Sequence, residues 1–254
     1  MQEDIYKRFV EAKESGRKKL AVLIDPDRVR LGNLDALIEL SIRAEVDFFF
    51  IGGSLIVNNW LDDCLTSIKE RCDIPLILFP GDSFQLSYRA DALLFLSLIS
   101  GRNAELLIGK HVITAPYLKI SPLEIISTGY MLVDGGIPTT VSYISNTSPI
   151  PNDKDDIAVC TALAGEMLGL SAMYMDAGSG AKHPVSLEMI ESVSGAITVP
   201  LIVGGGIRTA ERARKTVEAG ADIVVVGNAF ESDPSLVVSI ADAVHSYGVG
   251  VDVG

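Results

Sequence analysis

The sequence predicts a single α/β domain over residues 1–254, folded as a (β/α)8 or TIM barrel whose helix between strands 3 and 4 is missing or replaced by extended chain. Three observations carry this. Eight short apolar runs recur along the chain, each followed by Gly, Pro, Asp or Ser and then by a helical pattern. The runs are continuously apolar rather than alternating, as parallel strands covered on both faces are. A length of 254 residues is also the usual size of one such barrel.

The charged start, MQEDIYKRFVEAKESGRKK, reads as a helix over about 2–17 and lacks the apolar core of a signal peptide. The strands are LAVLID (20–25), DFFFIGG (47–53), IPLILFPG (74–81), ADALLFLSL (90–98), GYMLVDGG (129–136), AMYMDAG (172–178), PLIVGGG (200–206) and DIVVVGN (222–228). Between the third and fourth only DSFQLSYRAD is left, around the lower limit for a crossover that holds a helix. After the fifth, residues 138–156 form a long polar loop with prolines, of a length that goes with either a functional lid or disorder, ahead of a helix at about 157–168. Helical spacing returns at 184–194, 209–219 and 234–247, each with a Pro or Thr start signal. A doubly wound sheet would carry its glycine fingerprint after the first strand. Here that strand ends in Asp25-Pro26-Asp27, and the glycines cluster after strands six to eight.

A net charge of -12 opposes phosphate backbones in general and argues against nucleic acid as a partner, so any phosphate site must be local. Cys64, Cys72 and Cys160 have unrelated spacings, and only three histidines accompany them, which disfavours zinc and a disulfide framework. No window reaches the roughly 18 apolar residues of a transmembrane segment. The reading is of a soluble, cytoplasmic protein.

In a barrel the loops after the strands open onto one face, where active sites form. That ring contains Asp25 and Asp27, Gly52-Gly53-Ser54, Pro80-Gly81-Asp82, Asp134-Gly135-Gly136, Asp176 to Gly180, Gly204-Gly205-Gly206 and Gly227-Asn228. Glycines after strands seven and eight let an anion approach bare backbone N–H groups, so Gly205-Gly206 and Gly227-Asn228 point to a phosphate cradle, with Gly178-Ser179-Gly180 closing a third side. Tight turns alone would also use these glycines. Across the mouth, Asp25 with Ser54 makes a partial magnesium shell, or equally two turn and helix caps. Phe79, Leu94, Leu96, Leu98, Ile99 and Tyr117 lie where the short crossover would leave a gap in the helical coat. They read first as ordinary strand core, and otherwise as a groove for a long hydrocarbon.

Together LIDPDR, DFFFIGGS, YMDAGSGA, LIVGGGIRTAE and ADIVVVGNAF, in this order and spacing, resemble the geranylgeranylglyceryl phosphate synthases, relatives of the bacterial heptaprenylglyceryl phosphate synthases, from about residue 20 to 230. The resemblance implies a Mg2+-dependent prenyltransferase. It would join the 3-hydroxyl of sn-glycerol 1-phosphate to a prenyl diphosphate, geranylgeranyl diphosphate foremost, giving an ether lipid precursor and diphosphate. It also implies a homo-oligomer, dimer or hexamer. Carried over position by position, Asp25 and Ser54 match the metal ligands. Tyr174, Met175, Asp176, Ala177, Gly178, Ser179, Gly180, Gly205, Gly206, Gly227 and Asn228 match the glycerol phosphate site, with Tyr130 a further member. Asp25 and Asp176 are the catalytic pair, Asp176 standing where the family carries Glu. A phosphate-binding barrel isomerase or lyase of a small sugar or amino-acid phosphate is the alternative enzyme, and an inactive phosphate-binding barrel the alternative without catalysis.

Overall fold

A computed structural model describes residues 4–27, 31–58 and 60–247. Eight parallel strands close into a barrel in chain order, with β1 completing the circle against β8 through Ala21 opposite Val225. The strands are β1 Lys19–Ile24, β2 Phe48–Ile51, β3 Leu76–Leu78, β4 Ala92–Leu98, β5 Glu124–Leu132, β6 Ala172–Asp176, β7 Leu201–Gly204 and β8 Ile223–Val226. The helices are α1 Ile5–Glu14, α2 Leu31–Arg43, α3 Leu61–Lys69, α4 Lys110–Lys119, α5 Thr140–Ser145, α6 Asp155–Met167, α7 Leu187–Ala196, α8 Ala210–Glu218, α9 Asn228–Ser232 and α10 Leu236–His245. Among the described residues, no helix is long and apolar enough to cross a membrane.

Alternation along each strand builds two cores. Phe48, Phe50, Ile77, Leu94, Ile126, Tyr174, Ile202 and Val225 fill the barrel interior, while Val22, Phe49, Leu76, Met173, Met175, Val203 and Val224 pack outward under the helices. Helix α1 plugs the lower end: Phe9 meets Phe48 edge to face at 5.1 Å, and the Glu124 carboxylate accepts the N–H groups of Ile5 and Tyr6 at 2.7 and 2.9 Å. That carboxylate also faces the positive end of the helix dipole.

The lower rim is set by a repeated device. Asp47, Asp91 and Asp222 each stand one residue ahead of β2, β4 and β8. Each accepts a backbone N–H from the neighbouring strand, from Leu20, Leu76 and Leu201 at 2.8 to 2.9 Å. Each also pairs with a lysine, Lys19, Lys69 and Lys18, at 2.7 to 2.8 Å. One side chain thereby fixes the strand register and satisfies an amide that would otherwise be orphaned.

Between β3 and β4 the chain has no helix, as the short crossover predicts, and residues 79–91 run as turns and extended chain. Several elements differ in extent from the sequence reading. The fifth strand starts at Glu124, five residues ahead of GYMLVDGG, because Ser127 and Thr128 make this stretch look too polar for a strand. The Ser127 hydroxyl pairs with that of Ser171, just ahead of the next strand, at 2.9 Å, and the Thr128 hydroxyl donates to the carbonyl of Ile126. The loop 138–156 contains α5, started by a capping box between Thr139 and Ser142. The terminal helices span Ile5–Glu14 and Leu236–His245, shorter than 2–17 and 234–247, and residues 2 and 3 lie outside the described ones.

The buried Lys18–Asp222 pair gives a direct test, since its side chains are only 8% and 2% exposed. Asp222→Ala leaves the Lys18 charge and the Leu201 N–H without this acceptor, so the chain should lose about 3–5 kcal/mol of stability, read as a lower urea midpoint.

Candidate functional site

Two cavities meet at the upper, C-terminal end of the barrel and share Gly53, Ser54 and Phe79 in their walls. The polar one, about 840 Å³ and open to solvent, lies among the loops after β1, β2, β6, β7 and β8. The other, about 1000 Å³, runs from the same mouth over Leu94, Leu96 and Leu98 of β4 and out through the crossover gap toward α4.

The polar cavity is built by loops that glycine allows to touch. Gly205 and Gly206 have φ of +83° and +72°, which side chains rarely adopt, and a Cβ on Gly205 would stand 2.5 Å from Asp176 Oδ1. The Asn228 side-chain Oδ1 accepts the Ser179 hydroxyl at 2.9 Å and the Gly180 N–H at 3.2 Å, tying the β6 and β8 loops together. Arg208, which follows the glycines, lines the same cavity and donates to the Ala181 carbonyl at 2.9 Å. Residue-type reading passed over this guanidinium, although Gly-Gly-Gly-Ile-Arg was the signal for it: a cation one step beyond a glycine cradle suits an anion.

Asp176 ends β6 with its side chain inward, only 7% exposed. The Tyr130 hydroxyl donates to Oδ2 at 2.6 Å and the Gly178 N–H to Oδ1 at 2.7 Å. Burial pushes the carboxyl pKa above the ordinary range, and these two donors pull it part of the way back. Tyr130, Tyr174 and Phe79 form an aromatic floor beneath it, with ring centroids 5.1 to 6.0 Å apart. Burial, followed by the Asp176 charge, holds both phenols well above their usual pKa, so they stay protonated at neutral pH.

On the opposite side, Asp25 and Ser54 face the same cavity. Asp25 Oδ1 accepts the Asp27 N–H at 3.0 Å, and a Cβ on Gly53 would lie 3.0 Å from its Oδ2. Asp27 is turned to structure, accepting the N–H groups of Val57 at 2.6 Å and Asn58 at 3.2 Å. Among the described residues, no three His, Cys, Asp or Glu side chains group to hold a metal. One carboxylate plus one hydroxyl fits Mg2+, which takes few protein ligands and completes its shell from waters and substrate phosphates, and does not fit zinc.

Of the residues named from sequence, Asp25, Ser54, Tyr174, Asp176, Ser179, Gly180, Gly205, Gly206, Gly227 and Asn228 all line the polar cavity. Met175 and Ala177 do not: their side chains point outward into the core between barrel and helices, as alternation from Tyr174 and Asp176 requires. Gly178 serves through its N–H on Asp176, and its φ of +86° sets it against Thr139. Phe79, Leu94, Leu96 and Leu98 are core residues of the barrel interior or pack against it, as read first, and also line the apolar cavity. Ile99 instead packs toward Gly129 and Gly165, and Tyr117 is 59% exposed on the outer face of α4. Leu93, Phe95, Leu106, His111 and Leu118 form the outer wall in their stead.

The PcrB family model matches residues 13–245. A geranylgeranylglyceryl phosphate synthase of Chitinophaga pinensis is 57% identical over 246 residues, 97% of this chain and 98% of that protein. The synthase of Thermococcus gammatolerans is 42% identical and covers 90% of each chain. Among solved structures, the crystal structure of (S)-3-O-geranylgeranylglyceryl phosphate synthase from Thermoplasma acidophilum in complex with substrate sn-glycerol-1-phosphate superposes with a TM-score of 0.89 at 30% identity, covering 95% of this chain and 98% of that one. A barrel with one crossover helix missing, a glycine-walled polar cavity and a family match over nearly its whole length place the chain in the PcrB family, with the geranylgeranylglyceryl phosphate synthases as its relatives.

Proposed function

We propose that this prenyltransferase joins the 3-hydroxyl of sn-glycerol 1-phosphate to geranylgeranyl diphosphate or a related prenyl diphosphate, with Mg2+, forming an ether and releasing diphosphate. The observation that carries the reading is the meeting of a polar, glycine-walled cavity with an apolar one at Gly53, Ser54 and Phe79. Two ligands of opposite character, a small phosphate and a long hydrocarbon, would bring their reactive ends together there. An isomerase or lyase of a small phosphate has no use for the second cavity.

The acceptor's phosphate would sit among Gly205-Gly206, Gly227-Asn228 and Ser179-Gly180, with Arg208 beside it. Its hydroxyl would point to Asp176, so that positioning contributes much of the rate. Asp25 and Ser54 would hold the ion, which when bound offsets the charge building on the leaving diphosphate. The allylic C–O bond breaks with its electron pair leaving on diphosphate. The acceptor oxygen bonds to that carbon, and its proton passes to the Asp176 carboxylate. A raised pKa makes Asp176 a stronger base than an ordinary aspartate, and the Tyr130 and Gly178 donors keep it ionised and aimed. Assembly into copies belongs to the same reading, supported by Val112, Ile113 and Ile120, all more than half exposed on or just past α4.

Incubating the protein with Mg2+, labelled glycerol 1-phosphate and geranylgeranyl diphosphate should yield label extractable into organic solvent, and Asp25→Ala should abolish it. No product with any donor from geranyl to heptaprenyl diphosphate would refute the reading.

The acid limb of the pH–rate profile should lie above the usual carboxylate range, since Asp176 must be ionised to act. Asp176→Asn should lower kcat by about 10²–10⁴ and remove that limb. Tyr130→Phe removes a donor to the ionised form, so its limb should move to higher pH, and a limb that stays or moves down contradicts this role. Stability follows the same sign. With the folded pKa raised, the folded state holds more protons than the unfolded one between about 3.9 and the raised value, and stability falls as pH climbs through that window. Asp176→Asn should therefore have the higher denaturant midpoint at neutral pH, an advantage that fades as the solution is acidified.

A further inference from the structure

Gln85 belongs to the irregular crossover after β3, yet it is only 4% exposed and reaches back into the mouth of the barrel. Its Nε2 donates to the Gly53 carbonyl at 2.8 Å. Its Oε1 accepts the Gly81 N–H at 3.1 Å and the Gly53 N–H at 3.3 Å. One side-chain amide thus pairs with both backbone groups of Gly53, as a neighbouring strand would, and with the loop after β3 as well.

The two loops need this bridge because they touch where no side chain fits. A Cβ on Gly52 would stand 2.1 Å from the Phe79 carbonyl oxygen, and one on Gly81 would stand 2.3 Å from the Gly53 carbonyl oxygen. Gly53 in turn lies against Asp25, and Ser54 follows it directly. A shift of Gly53 therefore displaces Ser54 relative to Asp25. Gly53 and Ser54 are also where the two cavities join, with Gln85 in the wall of the apolar one. A helix between β3 and β4 would have taken the chain away from this point. The irregular crossover instead lets one of its side chains hold the loop from within.

We infer that Gln85 is a positioning residue for the donor end of the site, fixing Gly53 and Ser54 against Asp25 so that magnesium and the diphosphate bind as a unit, while the glycerol phosphate cradle across the mouth is left untouched. This rests on the function proposed above and adds to it the group that shapes the diphosphate subsite.

Calorimetric titration with Mg2+ and inorganic diphosphate tests it without turnover. Gln85→Met keeps length and apolar bulk but removes donor and acceptors. It should weaken diphosphate affinity about tenfold, the scale of one lost hydrogen bond to a charged or buried group, while glycerol 1-phosphate affinity stays within about twofold. In turnover, the KM for the prenyl diphosphate and the half-saturating Mg2+ should rise together, with the KM for glycerol 1-phosphate unmoved. Equal weakening of both ligands would make Gln85 a general structural residue and overturn the inference, as would no weakening, or no diphosphate binding by the parent chain. The parent chain also supplies a readout that no variant's folding can spoil: NMR-detected exchange of the Gly53 and Gly81 amide protons should slow when Mg2+ and diphosphate bind, and unchanged exchange contradicts the role. Loss of prenyl transfer in the parent alongside intact, Gln85-dependent diphosphate binding would instead count against the proposed reaction.

Discussion

A carboxylate buried at the mouth of an apolar barrel is the constraint to which the rest of the site answers. An isolated ionised acid there costs several kcal/mol, and only directed hydrogen bonds make it tolerable. Asp176 obtains them from Tyr130 and from the Gly178 N–H, one on each oxygen. Each requirement propagates. The hydroxyl of Tyr130 demands that β5 and β6 be in register, with Tyr130 opposite Tyr174 and Leu132 opposite Asp176. The Gly178 amide demands a left-handed turn, and Gly205 must lack a side chain because any Cβ would strike the carboxylate. The glycines of the mouth therefore serve the acid as well as any phosphate that the proposed reaction would place there.

The second constraint is the absent crossover helix. Most of the barrel's outer face is covered by helices, and an apolar strand can be lined by a cavity only where that coat is interrupted. Leu93 and Phe95 of β4 face such an interruption, roofed by α4 and by α5 through Val141 and Ile144. Thr140, the neighbour of Val141, reaches the polar cavity, so one short helix stands over both halves of the mouth. Charge follows the same division. The chain as a whole is acidic, yet the polar cavity holds Arg208 across from Asp25 and Asp176, a local cation where an anionic group of the proposed acceptor would sit.

Much of this was legible in the sequence, for physical reasons. Buried parallel strands have to be continuously apolar, so all eight were visible, and ten residues between two of them left little room for a helix. Glycine runs at strand ends marked the wall of the polar cavity because few other residues tolerate those turns. What stayed hidden depends on contacts between distant positions. Gln85 bonds to Gly53 across 32 residues, and Tyr130 to Asp176 across 46, and neither pairing leaves a local trace. Tyr130 entered only through family resemblance. Other misses had signals that were available. Period-two alternation turns Met175 and Ala177 away from the site, and Thr139 with Ser142 marks a helix start inside the supposedly irregular loop.

On the proposed reaction, the hydrocarbon of the donor leaves the mouth through the gap between β3 and β4 while the phosphate of the acceptor stays among the loops after β6 to β8. A prenyl diphosphate carrying a photoreactive group near its tail, irradiated with the protein and followed by peptide mapping, tests this directly. Label is expected on the segments 82–98 and 105–118. Label on α7, α8 or α10, behind the phosphate loops, would contradict it.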